Sequence, residues 1–120
     1  MRSYLSMMAL VAGGVMISAP TMAEGFADHG TVKATRSGGK VTIVVSGKGD
    51  WRVNTEYPIK VELGGAKLSK GDAKYGGEKN GKAESATFET GDAANSGSVK
   101  AVFCDASSCT APLKTSFDVK

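Results

Sequence analysis

From Val41 to the C-terminus, apolar and β-branched residues recur at every second position, and glycines interrupt them at short intervals. A period of two places alternate side chains on opposite faces of an extended chain, so the pattern points to sheets. Val41, Ile43 and Val45 alternate with Thr42 and Val44. The file Trp51, Val53, Thr55, Tyr57, Ile59, Val61, Leu63 keeps one face for seven steps, with Lys60 and Glu62 opposite. Pro58 cannot donate a ladder hydrogen bond, so this stretch is read as two strands divided near Glu56–Pro58. Further strands are expected at Ala86 and Phe88, at Val99, Ala101 and Phe103, and at Leu113, Thr115, Phe117 and Val119, with Lys114, Ser116 and Asp118 outward. No apolar stripe of helical period follows Ala23.

Turn signals separate these runs at Ser37-Gly38-Gly39, Gly47-Lys48-Gly49-Asp50, Gly64-Gly65, Gly76-Gly77, Gly91-Asp92 and Asn95-Ser96-Gly97. The glycine- and lysine-rich segment from Gly64 to Lys82 reads as a short edge strand around Ala66–Ser69 followed by a loop, its lysines discouraging edge pairing. Short strands punctuated by glycine turns, without helices, describe an all-β domain, an immunoglobulin-like β-sandwich of about seven short antiparallel strands. The two cysteines are local in sequence and lack the long-range Cys…Trp…Cys spacing of antibody domains. Trp51 is expected to be a core aromatic.

A signal peptide is expected to precede this domain. Arg2 supplies a positive start, Met7 to Ile17 is apolar except for Gly13 and Gly14, and Ser18-Ala19-Pro20-Thr21-Met22-Ala23 has the small residues of a cleavage site. Cleavage after Ala23 is expected, and no cysteine at that site calls for a lipid anchor. The apolar run falls short of the ~20 residues of a membrane span, so the mature chain is read as not membrane-spanning and as periplasmic or secreted. Removing residues 1–23 of 120 leaves 97, a single small domain over residues 24–120. A chain of that size buries only about two thirds of its surface, so one added restraint matters. With Arg2 gone, 14 basic residues face 12 acidic ones, and the basic residues are scattered without aromatic interleaving. Nucleic acid is therefore not an expected partner.

Cys104 and Cys109 enclose Asp105-Ala106-Ser107-Ser108 directly after an expected strand. Such a loop closes a hairpin and places the thiols on adjacent strands, where Cα atoms lie near the ~5.5 Å of a disulfide. Export to an oxidising compartment favours the bridge. Cys104 is out of phase with Val99, Ala101 and Phe103, so it points with Lys100 and Val102 away from the core, toward the rim. A loop this small removes little chain entropy, about 2 kcal/mol on the loop-closure model. Asp105 disfavours a thiolate at Cys104, and Lys100 and Lys114 are the cations nearest in sequence. The residues alone leave open a structural staple and a working redox pair.

The run Lys40-Val41-Thr42-Ile43-Val44-Val45, then Gly49-Asp50-Trp51-Arg52-Val53-Asn54-Thr55-Glu56-Tyr57-Pro58-Ile59-Lys60-Val61-Glu62-Leu63, then Val99-Lys100-Ala101-Val102-Phe103-Cys104 and Cys109-Thr110-Ala111-Pro112, resembles the N-terminal periplasmic domain of the thiol:disulfide interchange protein DsbD family. The resemblance covers roughly residues 30 to 120. It implies an immunoglobulin-like sandwich in which Cys104 and Cys109 form the redox pair, relaying electrons between a membrane partner and thioredoxin-like envelope proteins through mixed disulfides. It also implies a cap loop over the cysteines, for which Tyr75, within Gly71 to Lys82, is the candidate; Lys74 stands where a second aromatic would be expected. The cysteines here are one residue closer than is common in that family. Since the chain stops at Lys120, its electron source is expected to be a separate protein.

Other chemistry is sparse. His29 is the single histidine, too few with Cys104 and Cys109 to complete the four ligands of a structural zinc site, so no metal is expected. A serine hydrolase would need a G-x-S-x-G elbow, and a phosphate site a glycine loop opening a helix; neither occurs, and no cofactor is implied. Three functions remain: an exported thiol-disulfide exchange domain, a secreted sandwich binding module stapled by Cys104–Cys109, and an envelope subunit that pairs through an edge strand near Pro58.

Overall fold

The apolar files of the sequence line a core shared by two antiparallel four-stranded sheets. A computed structural model describes residues 25–120, so the expected leader at residues 1–23 lies outside the described residues. The strands are β1 (Gly30–Ser37), β2 (Lys40–Gly47), β3 (Arg52–Asn54), β4 (Lys60–Leu63), β5 (Ala66–Leu68), β6 (Lys74–Gly76), β7 (Lys82–Ala83), β8 (Ser85–Thr90), β9 (Ser96–Ala101), β10 (Phe103–Cys104) and β11 (Leu113–Asp118). One sheet runs β1-β2-β8-β6, the other β11-β9-β4-β5, and a small third sheet runs β10-β3-β7. In immunoglobulin lettering the two large sheets read A-B-E-D and G-F-C-C′.

Val41, Ile43, Val45, Ala86 and Phe88 from the first sheet join Val61, Leu63, Val99, Ala101 and Phe117 from the second in one buried cluster. The alternation is literal: β2 and β4 bury every second residue, and Lys60 and Glu62 are exposed as their phase requires. The division near Pro58 also holds, with β3 and β4 separated by residues 55–59. The edge strands β1 and β11 meet through a parallel bridge between Ala34 and Val119. The Lys120 N–H donates to the Ala34 carbonyl at 2.9 Å, and the Arg36 N–H donates to the Lys120 carbonyl at 3.2 Å. Joining the two sheets along this side covers part of what would be open edge.

Three features depart from the sequence reading. The strand β1 carries no alternating apolar file, because its buried positions are held by Gly30 and Ala34. Small residues suit that place: a side chain at Gly30 would collide with the Phe103 ring. The segment 70–83 contains β6, β7 and a 3-10 turn at Lys70–Asp72 in place of a plain loop. The expected strand through Phe103 is broken at Val102, where the chain leaves β9, paired with β4 and β11, and enters β10, paired with β3. The Val102 carbonyl accepts the Asn54 N–H at 2.9 Å, which holds the crossing. These short pieces raise the count among the described residues to eleven strands, against the seven or so expected, within an architecture that is all-β and sandwich-like.

Trp51 is half-buried against the cluster. Its ring meets His29 edge-on, with centroids 4.5 Å apart at 80°. The fully buried Phe103 meets Phe26 edge-on at 5.1 Å and 86°, seating the residues just before β1 against the end of the sandwich. Truncating such a ring removes its burial and leaves a cavity. Phe103→Ala is therefore expected to lower unfolding free energy by about 3–5 kcal/mol in denaturant titration. At Gly47 a side chain would run into the Trp51 carbonyl, so Gly47→Ala should also destabilise, through backbone displacement.

Candidate functional site

The register of the small sheet decides which side chains meet. Val53 pairs with Phe103 on one side and Ala83 on the other, and all three are fully buried. The alternate positions, Arg52 opposite Cys104 and Asn54 opposite Lys82, therefore share the other face. Cys104, Arg52 and Lys82 line one depression there, together with Asp50, Asp105 and Ser107. Cys104 is on the face opposite Phe103, as its phase demands, yet it is only 2 % exposed, where the sequence suggested an open rim. Cys109, at the far side of the hairpin, is exposed.

Cys104 and Cys109 form a disulfide with Cα atoms 4.0 Å apart. That is closer than the spacing expected from the sequence, and the hydrogen bonding explains the direction. The Thr110 N–H donates to the Phe103 carbonyl and the Asp105 N–H to the Ser108 carbonyl, both at 2.8 Å, so the cysteines occupy the position between bonded pairs. Opposed residues approach more closely at such positions.

The turn is held without the sulfurs. Asp105 Oδ1 accepts the backbone N–H groups of Ser107 at 2.9 Å and Ser108 at 2.8 Å, and both serine hydroxyls point to the same oxygen. These donors, the backbone ones foremost, hold the Asp105 carboxyl below the ordinary aspartate value of 3.8. Its charge is thus engaged by the turn. On the other side, Lys82 Nζ donates to the Asp105 carbonyl at 3.0 Å. Since β7 and β10 flank β3, the Lys82 side chain crosses the outer face of the small sheet to reach the hairpin. Arg52 Nη1 donates to the Gly49 and Trp51 carbonyls, both at 2.9 Å, which anchors its guanidinium beside the same depression.

The cations at the disulfide are therefore Arg52 and Lys82, distant in sequence from Cys104 and recognisable only through the β3 pairings. Lys100 and Lys114, nearest in sequence, pair with each other across β9 and β11. Tyr75 lies on β6 opposite Ala86 and packs against the shared core. Its hydroxyl is buried without a hydrogen-bond partner, and burial, with a smaller contribution from Glu78, pushes the phenol above its ordinary value of 10.0. The segment 71–82 reaches the disulfide through Lys82. Among the described residues, no group of three or more His, Cys, Asp or Glu side chains is placed to hold a metal ion. No described helix is long and apolar enough to cross a membrane. Compared with protein-family models, curated proteins and solved structures, the chain matches none.

A carboxyl whose folded pKa is depressed stabilises its surroundings above the unfolded pKa and loses that effect as pH falls through the folded value. The Ser107 and Ser108 amide resonances should accordingly titrate together, with an inflection below pH 3.8. In Asp105→Asn that inflection should vanish; a wild-type inflection at or above the ordinary value would contradict the turn-held carboxylate.

Proposed function

We propose that this domain is an exported, periplasmic or secreted, thiol-disulfide exchange module working through Cys104 and Cys109. One observation carries the reading: a single disulfide joins an exposed half-cystine, Cys109, to a covered one, Cys104, that shares its depression with Arg52 and Lys82. Exchange needs an accessible sulfur to attack and a leaving thiolate that the site stabilises. A partner thiolate attacks Cys109 Sγ, forming an intermolecular disulfide and breaking the Cys104–Cys109 bond. Cys104 departs as a thiolate beside two cations. A second partner thiolate then attacks its own mixed disulfide and expels the Cys109 thiolate, so that two electrons pass to this domain and the partner leaves oxidised. The reverse sequence reduces a partner. The Asp105 turn and the Phe103–Thr110 bond support both states, because neither uses sulfur.

The resemblance to the DsbD N-terminal domain agrees with this reading and suggests thioredoxin-like and membrane redox proteins of the cell envelope as partners. The burial of Cys104 also suits a second reading, in which the bridge only staples a binding or structural module. Single-cysteine variants separate the two. Cys104→Ser, which keeps Cys109, should form mixed disulfides with a thioredoxin-like protein at least about tenfold faster than Cys109→Ser. A bridge more reducing than about −300 mV whose variants trap nothing would overturn the exchange reading. The staple predicts that both variants fold with a loss of about 2 kcal/mol and no difference in trapping.

A further inference from the structure

Three lysines stand side by side on the outer face of the second large sheet. Lys60 on β4 pairs directly with Lys100 on β9, and Lys100 pairs directly with Lys114 on β11. All three are exposed. Like charges at directly opposed positions repel, so this row weakens the sheet that carries it. No acid within the row relieves it. Glu62, two residues along β4, shares a shallow recess with the lysines but sits opposite Lys67 and Ser98. Among the described residues the one ion pair is Lys40 with Glu89, in the other sheet. Three lysines with one neighbouring acid keep a net positive charge that a partner's carboxylates can meet.

From these positions we infer that Lys60, Lys100 and Lys114 form a docking strip for the acidic surface of a protein partner, whose carboxylates meet the three ammonium groups. Two strand spacings make the row about 10 Å long. Lys100 and Cys104 lie four residues apart along the chain, across the break at Val102. The strip and the hairpin are carried by the same two chain segments, since Lys100 precedes Cys104 and Lys114 follows Cys109.

The shape of the strip favours a protein. Along the strands it gives way to Glu62 on β4, Ser98 on β9, and Ser116 and Asp118 on β11, so it is one narrow line. Anionic membranes and nucleic acids select broader clusters of basic residues. A few carboxylates on a strand or helix match a line of three ammonium groups and gain steering at low salt.

This role for the strip rests on the exchange reading, but binding to it can be measured apart from exchange. The variant Lys60→Gln/Lys100→Gln/Lys114→Gln leaves the depression at Cys104 untouched and should be at least as stable as the parent. A fluorescent glutamate-rich peptide without cysteines should bind the parent, weaken as salt rises, and lose about tenfold in affinity against the triple variant. With a cysteine pair added to that peptide, exchange should slow by a similar factor in the triple variant, while a glutamine-rich counterpart exchanges equally with both proteins. Equal binding of the acidic peptide to parent and variant would overturn the strip. Binding of phosphatidylglycerol vesicles without binding of the peptide would overturn it in favour of a lipid surface. Peptide binding that depends on the lysines, with no exchange by any peptide, would retain the strip and overturn the exchange reading alone.

Discussion

The rest of the structure depends on the buried file Val99, Ala101 and Phe103, which runs through two sheets. Up to Ala101 it is the centre of the β11-β9-β4 ladder, and after the break at Val102 it pairs with β3 in the small sheet. Phe103 fixes the crossing because its ring is fully buried, against Phe26 and over Gly30. A buried aromatic tolerates little displacement in a close-packed interior. Everything beyond it, Cys104 included, inherits its position from that anchor.

The two faces of the small sheet then separate the packed side chains from those around the disulfide. Its inner face holds Val53, Ala83 and Phe103, and its outer face holds Arg52, Asn54, Lys82 and Cys104. The alternation that buries one set places the other on a single face, without any residue having to leave its strand. The disulfide is thus carried at the end of the small sheet, and the Asp105 turn holds the hairpin with bonds that do not involve the sulfurs. The same alternation on β4, β9 and β11 lines up Lys60, Lys100 and Lys114. One geometric rule sets both arrangements.

Much of this was legible in the residues. The core positions of β2, β4, β8 and β11, the division near Pro58, the edge strand after Gly65 and the hairpin at the cysteines all follow from period two and turn chemistry. The strand β1 escaped because Gly30 and Ala34 occupy its inner positions, and small residues give no apolar signal even where they are fully enclosed. The pieces β6 and β7 escaped for a related reason: two or three residues are too few to show a period. Proximity along the chain does not locate the cations, since Lys100 and Lys114 neighbour the cysteines in sequence while Arg52 and Lys82 neighbour Cys104 in space.

By itself the sequence determined an all-β chain, its inward faces and a local cysteine pair, because alternation and turn preferences act over a few residues at a time. The tertiary structure alone decided the break at Val102, the cover over Cys104, the approach of Arg52 and Lys82, and the lysine row. Those depend on register between strands far apart in the chain. Register is settled by packing of whole faces against one another, to which no local stretch of residues has access.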